Sequence, residues 1–269
     1  MSVLRPGFSE RVFEFSFNAE YANRNRAVLA GAPSIPTQNE EKSLGYDVMF
    51  EIAARGGAVH AVALQHKVSR FVDALGPSNG NFWSAADGPY FAFRLDTDQY
   101  NLIESIASAG LPGIEFRFCA PLFATRAEMN GHYLAGAVEA QSMWIDVAGA
   151  GPITDGDLHT IVYRADGSQA FRFSEAPKKL AVVSDGMRRV QWEHRRNLAI
   201  EAPERIYNTA LQRLRNYWPE RRSKVQRRSD VEASPLPRKL PDEAAPTLAN
   251  AGRLLADYFG LSLLVEVRK

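Results

Sequence analysis

Cysteine is nearly absent from this 269-residue chain, and long apolar runs do not occur. The single cysteine, Cys119, excludes an internal disulfide and a zinc site built on cysteines. Without a run of about 18 apolar residues, the sequence predicts no membrane-spanning segment. Residues 1–6 also lack the apolar segment of a secretion signal. We therefore expect a cytoplasmic protein that does not bind membranes.

Three common catalytic signatures are missing as well. The five histidines show no spacing typical of a metal site. No serine lies in a G-x-S-x-G motif, which leaves a triad of Ser142, Asp157 and His159 without support. The segment 76–80 is not followed by the Lys-Ser or Lys-Thr of a phosphate-binding loop. These absences argue against histidine-metal, serine-hydrolase and nucleotide-hydrolysing classes.

Positive charge is concentrated in one segment. The whole chain has a net charge of +1, whereas residues 188–239 hold 14 Lys or Arg and 6 Asp or Glu, a balance of +8. Four arginine pairs contribute, namely Arg188-Arg189, Arg195-Arg196, Arg221-Arg222 and Arg227-Arg228. Arginine matches the geometry of phosphate, although basic runs also occur on ordinary solvated surfaces. The segment predicts DNA or an acidic protein surface as a partner, with a solvated linker as the alternative.

Hydrophobic periodicity divides the chain into two parts. Residues 1–180 are predicted to form an α/β core with added strands. Residues 181–269 are predicted to form a basic helical extension with a linker and a terminal helix and strand. Helices are predicted at 19–30 after an Asn18 cap, at 98–109 after Thr97 or Asp98, and at 128–135 after Thr125. Strands are predicted at about 11–17, 46–52, 58–68, 90–95, 114–118, 137–147, 158–163 and 169–173.

This order of elements predicts a mixed central sheet with flanking helices. The strands at 46–52, 58–68 and 90–95 are expected to form an antiparallel meander. The helix at 98–109 then crosses back to a strand parallel to a neighbour. The segment 76–89 is predicted to be a polar loop, with Phe82 and Trp83 either stacking on bases or folding back on the core.

Polar residues lie where two of the predicted strands end. Asp47 opens the strand at 46–52, and Gln65 and Lys67 close the strand at 58–68. Because strand side chains alternate between faces, Gln65 and Lys67 share one face and His66 points to the other. A hairpin between the strands would bring Asp47 to this pair. Carboxylate and amide oxygens suit Mg²⁺, and a lysine offsets the charge of a reacting phosphate.

These residues resemble the PD-(D/E)xK nuclease superfamily over about residues 18–120. The resemblance lies in Glu41, Gly45 and Asp47, followed by Gln65-x-Lys67. It implies a restriction-endonuclease-like fold and a Mg²⁺- or Mn²⁺-dependent endodeoxyribonuclease, with the Q-x-K variant found in antiviral-defence nucleases. Asp47, Gln65 and Glu41 would then bind the metal, and Lys67 would position the water. Glu20 is the alternative to Glu41 as the upstream acid.

Two other interpretations stay open. Gln65 replaces the commoner acid, and degenerate members of the superfamily have lost activity. An inactive interaction subunit that binds a protein partner or nucleic acid therefore fits the same residues. Asp47 and Lys67 also fit a simple cross-strand ion pair, with Gln65 an ordinary polar residue of the sheet. An active nuclease would need restraint by a protein partner or by homo-oligomer formation.

Overall fold

The computed structural model describes residues 3–37, 45–53, 59–108, 114–173 and 177–183. These residues form ten strands and four helices, a mixed α/β fold. The strands are β1 (Val3–Leu4), β2 (Val48–Ala53), β3 (Val59–His66), β4 (Arg70–Val72), β5 (Tyr90–Arg94), β6 (Ile114–Pro121), β7 (Ser142–Asp146), β8 (Thr160–Arg164), β9 (Ala170–Phe173) and β10 (Pro177–Val182). The helices are α1 (Glu10–Asn25), α2 (Gly80–Ala86), α3 (Thr97–Ser108) and α4 (Arg126–Ala135). Nearly all of the predicted basic extension lies outside the described residues, and the division at residue 180 stays a prediction.

All ten strands belong to one sheet, in the order β1-β4-β5-β8-β9-β10-β7-β6-β3-β2. Strand β10 joins two halves of this sheet, because Pro177–Leu180 pairs with β9 and Ala181 and Val182 pair with β7. Strands β3 and β6 run parallel, and α3 lies between them in the sequence. The predictions of a mixed sheet and of a parallel strand after this helix are confirmed.

Side chains from both halves of the sheet share one core. Met49 and Phe116 contribute from one half, and Phe91 and Tyr163 from the other. Helix α3 adds Tyr100 to the same cluster. The opposite face of β2, β3, β6 and β7 is covered by α1, whereas α2 covers the outer face of the other half. Helices α1 and α3 therefore lie on opposite faces of the half that carries Asp47 and Gln65.

Helix α1 corrects two sequence predictions. The predicted strand at 11–17 and the Asn18 cap are wrong, and the helix predicted at 19–30 is correct only over 19–25, because one helix covers Glu10–Asn25. The Ser9 side chain accepts a hydrogen bond from the Val12 backbone N–H and caps the helix. Phe13, Phe17 and Tyr21 recur every four residues and are buried against the sheet. This helical spacing outweighs the shorter alternation that favoured a strand.

The predicted three-strand meander is also wrong beyond its first hairpin. Strands β2 and β3 pair antiparallel, but β5 pairs with β4 and β8 in the other half of the sheet. The second edge of β3 is occupied by β6. The short strand β4, which was not resolved from the sequence, carries the chain from one half to the other.

The segment 76–89 contains helix α2 where a loop was predicted. The ring of Phe82 packs 4.6 Å from that of Phe173, and the ring of Trp83 lies 6.5 Å from that of Tyr90. The interpretation that these aromatics fold back on the core is therefore confirmed. Helix α4 follows its predicted Thr125 cap, and the predicted strands at 158–163 and 169–173 correspond to β8 and β9, which pair antiparallel.

The outer edge of β2 is hydrogen-bonded to the chain that follows α1. The backbone N–H of Ser34 donates to the Met49 carbonyl, and the N–H of Met49 donates to the Ser34 carbonyl, both at 2.9 Å. The N–H of Ala30 donates to the Glu51 carbonyl at 2.8 Å. The strand that follows Asp47 is thus held on both sides, by β3 and by residues 28–34.

Candidate active site

Asp47 and Gln65 are in contact at one end of the β2–β3 hairpin. The register pairs Val48 with Leu64, which places residue 47 opposite residue 65. The Nε2 of Gln65 donates to Oδ1 of Asp47 at 2.8 Å, and the backbone N–H of His66 donates to Oδ2 at 2.6 Å. Both carboxylate oxygens are therefore held by donors from β3.

Lys67 follows directly after β3 and continues the backbone hydrogen bonding of that strand to β6. Its backbone N–H donates to the Cys119 carbonyl of β6 at 2.8 Å. Its side chain is half-buried, and its charge acts on Asp47 and on Glu10 of α1. The structure thus brings three of the four sequence candidates to one place, namely Asp47, Gln65 and Lys67.

His66 points to the α1 side of the sheet, as the alternation of strand side chains predicts. Its ring is fully buried, with ring centroids 5.7 Å from Phe13 and 5.2 Å from Phe17. Nδ1 still lies 3.4 Å from Oδ2 of Asp47. The imidazole therefore lies beside the Asp47 carboxylate on the α1 side of the sheet, and the rings of Phe13 and Phe17 hold the imidazole in place.

Two acids of α1 lie near enough to interact electrostatically with the cluster, and the sequence analysis missed both. Glu10 and Glu14 are one helical turn apart, so they lie on the same side of α1. Glu10 is hydrogen-bonded to the backbone of Val68, next to Lys67. Both acids interact electrostatically with Asp47 and His66. Recognising Ser9 as a helix cap would have placed them, because residues 10–17 then become helical.

The pKa values of the carboxyl groups of Glu10, Glu14 and Asp47 are shifted in opposite directions. Burial raises the pKa of Glu10, against the opposing charge of Lys67. Burial also raises the pKa of Glu14, and the charge of Asp47 adds to this effect. Burial alone would raise the pKa of Asp47, but the hydrogen bonds and charge of His66, with Lys67, hold it below its ordinary value. Asp47 is therefore the carboxylate that is most firmly ionised in the cluster.

Gly45 is required by the approach of the chain to Asp47. Its φ of +79° lies in the left-handed region that glycine adopts most easily. A Cβ at this position would lie 3.1 Å from Cγ1 of Ile103 and 3.1 Å from Cδ2 of Leu102. The glycine two residues before Asp47 thus lets this segment pack tightly against α3.

Helix α3 also reaches the cluster through Gln99. The Nε2 of Gln99 donates to Oε1 of Gln65 at 2.9 Å. The Gln99 backbone N–H donates to Oδ1 of Asp96 at 2.9 Å, so Asp96 caps the helix. The predicted caps, Thr97 and Asp98, are wrong because both lie inside the first turn.

Of the two candidates for the upstream acid, only Glu20 lies among the described residues, and its carboxylate is bound outside the cluster. Glu41 lies outside the described residues. Glu20 contacts the guanidinium of Arg24 at 2.8 Å and accepts a hydrogen bond from the Val138 backbone N–H at 2.7 Å. The carboxylate of Glu20 therefore ties α1 to the segment after α4.

The imagined hydrolase triad is not assembled. The hydroxyl of Ser142 donates to the Val138 carbonyl at 2.5 Å, and His159 pairs with Asp155 at 2.6 Å instead of with Asp157. The described residues also contain no group of three or more His, Cys, Asp and Glu side chains placed to hold a metal ion. Glu10, Glu14, Asp47 and His66 therefore do not form such a group by themselves, and Glu41 lies outside the described residues.

No helix among the described residues is both long enough and apolar enough to cross a membrane. When compared with protein-family models, with curated proteins and with solved structures, the chain matches none of them.

Proposed function

We propose that this protein is a metal-dependent nuclease that cleaves DNA phosphodiester bonds, as an effector of antiviral defence. The observation that carries the proposal is the contact between Asp47 and Gln65 across two adjacent strands, with Lys67 two residues further on. The order of α1, the β2–β3 hairpin, α3 and the parallel strand β6 supports the resemblance to the PD-(D/E)xK core.

The donor set suits a hard divalent cation such as Mg²⁺ or Mn²⁺. Asp47 supplies an ionised carboxylate. The amide oxygen of Gln65 would have to turn from Gln99 toward Asp47 to join it, and Glu41 is the further acid expected from the sequence. Glu10 and Glu14 of α1 are better placed than Glu20 for the first-helix glutamate that the resemblance implies. A bound cation would neutralise phosphate charge and make water a stronger nucleophile.

The chain's own residues account for the rest of the proposed reaction. Lys67 is close enough to affect Asp47 electrostatically, and its ammonium would hold the attacking water and offset charge on the phosphate. The water oxygen would attack phosphorus and release a proton to solvent, one P–O ester bond would break, and the leaving oxygen would take a proton from solvent. His66 and Gln65 keep the Asp47 carboxylate in a fixed orientation throughout.

Cleavage of plasmid DNA by the purified protein with Mg²⁺ or Mn²⁺ tests this proposal. Lys67→Ala should lower the rate by about 10²–10³-fold, the usual effect of removing one transition-state donor. The matched control is Lys179→Ala, which removes the same charge from an exposed position of β10. Cleavage that is equally fast in both variants, or that survives Asp47→Asn, would show that a contaminant or another site is responsible.

An inactive nuclease-like interaction subunit is the second candidate function, and one observation favours it. Gln65 turns its NH₂ group, and not its oxygen, toward Asp47. Such a subunit would bind nucleic acid or a protein partner without cutting. Binding of DNA by the full chain, with no Lys67-dependent cleavage under any metal condition, would select this alternative.

A further inference from the structure

Two side-chain amides and one carboxylate are hydrogen-bonded in series at the candidate site. Gln99 donates to Oε1 of Gln65 at 2.9 Å, and Gln65 donates to Oδ1 of Asp47 at 2.8 Å. An amide has a donor end and an acceptor end, so the series has a direction. Gln65 is only 1% exposed, which leaves its amide few other arrangements.

The direction of these two hydrogen bonds determines which end of the Gln65 amide, the NH₂ group or the oxygen, would face a cation bound at Asp47. Its NH₂ group faces Asp47, and an NH₂ group cannot bind a metal ion. The oxygen of Gln65 can share a cation with Asp47 only if the Gln65 side-chain amide rotates by half a turn, so that its oxygen and NH₂ group exchange places. Its NH₂ group would then face the NH₂ group of Gln99, which is unfavourable unless Gln99 presents an acceptor.

We propose that Gln99 is a positioning residue, which sets the end of the Gln65 amide that faces Asp47 and thereby the affinity for a divalent cation. The inference rests on the proposed function, because it concerns the metal used in that reaction. Gln99 suits this role because its backbone N–H is held by Asp96 at the start of α3. The backbone position from which the Gln99 side chain extends toward Gln65 is therefore fixed at the start of α3.

The variant Gln99→Glu tests the proposal, with the dissociation constant of Mn²⁺ measured directly by calorimetry. A carboxylate at residue 99 only accepts hydrogen bonds, so Gln65 would donate to it and turn its oxygen toward Asp47. Mn²⁺ should bind about tenfold more tightly, in the range found when partners of metal ligands are changed. Gln99→Met should shift affinity in the same direction but less, because it removes the opposing donor without adding an acceptor.

A background without the Gln65 amide separates this effect from simple attraction by the new charge. In Gln65→Met protein, Gln99→Glu should raise Mn²⁺ affinity clearly less than in the wild-type background, because only the attraction of the new charge remains and no amide is left to be turned. An equal gain in both backgrounds would overturn the proposal, and so would unchanged affinity in both Gln99 variants. Thermal unfolding of each variant identifies any that fail to fold, and Gln99→Met then replaces Gln99→Glu in the comparison.

DNA cleavage by the same proteins distinguishes the two levels of inference. If Mn²⁺ affinity depends on Gln99 only when Gln65 is present, but no DNA is cut, the positioning role stands and the nuclease proposal fails. If wild-type protein cuts DNA and the Gln99 variants bind Mn²⁺ like wild type, the nuclease proposal stands and the positioning role fails. In an active enzyme, Gln99→Glu should also lower the half-saturating metal concentration.

Discussion

Single residues of the candidate site show how neighbouring carboxyl groups acquire different chemistry. Burial favours the protonated forms of Glu10 and Glu14, whereas His66 and Lys67 keep Asp47 ionised. Shifts of pKa values in opposite directions within one cluster are a common feature of sites that transfer protons or bind metals. The cluster is therefore chemically more specialised than the single cross-strand ion pair that the sequence also allowed.

The identity of the upstream acid can be resolved by amide substitutions. Glu10→Gln or Glu14→Gln should weaken Mn²⁺ binding and slow DNA cleavage, because each removes a carboxyl group that interacts with Asp47. Glu20→Gln should leave both unchanged and lower the free energy of unfolding by about 1–2 kcal/mol, because the Val138 N–H loses a charged acceptor. The reverse pattern would return Glu20 to the active site.

Gly45 offers a second test at the residue scale. Gly45→Ala should lower the free energy of unfolding by more than about 1 kcal/mol, because alanine strains a backbone with positive φ. Its Cβ would also press on Leu102 and Ile103. Gly31→Ala is the matched control, because a Cβ there meets nothing within 4 Å. Equal unfolding free energies for the two variants, measured with urea, would contradict this account.

The sequence predicts the central pair of this site but not its surroundings. Asp47 and Gln65 follow from the period of two in strands and from one hairpin, both of which are local properties. Glu10 and Glu14 were missed because residues 11–17 fit a strand and a helix alike, and only the longer spacing of Phe13, Phe17 and Tyr21 decides. Gln99 was missed because its contact with Gln65 depends on tertiary packing.

At the scale of elements, the helices begin where side chains satisfy free backbone N–H groups. Thr125 and Glu128 form a reciprocal capping box at the start of α4, whereas Ser9 caps α1 without an acidic partner. Such caps are readable from sequence, as Thr125 shows. The strands that pair with β5 could not be predicted from the sequence. Nothing local to residues 90–94 indicates that β8, some 70 residues later, lies beside β5.

The two caps should respond differently to pH. A hydrogen bond from Thr125 holds the pKa of Glu128 below its ordinary value. The stabilisation by this carboxylate is present above the pKa of the unfolded chain and is lost as pH falls through the folded pKa. Thr125→Ala should therefore cost about 1 kcal/mol at pH 7 and less below pH of about 4. Urea unfolding of Ser9→Ala, whose cap involves no carboxylate, should show no such decline.

At the scale of the whole molecule, we expect the two halves of the sheet to unfold together. Strand β10 pairs with both halves, and its residue Leu180 is buried in the core that they share. No strand was predicted at 177–182, because this short polar segment has no clear period. Its role depends on the strands on either side of it.

Removing the Leu180 side chain should therefore weaken both halves together. Leu180→Ala should lower the free energy of unfolding by about 2–5 kcal/mol, the usual cost of such a cavity. Hydrogen exchange should speed up equally at Val62 in β3 and at Val162 in β8. Leu158→Ala, at a side chain that is 70% exposed, should change neither. Faster exchange confined to one half would show that the halves unfold separately.

The hydrogen bonds along the outer edge of β2 have a consequence for self-association. An uncovered edge strand is a template on which a second chain can add its own strand, and this is a common start of aggregation. Residues 28–34 already occupy that position beside the candidate site. A partner that approaches there must recognise side chains and not the backbone. The edge next to Asp47 is thus protected from templated growth by the chain's own residues 28–34.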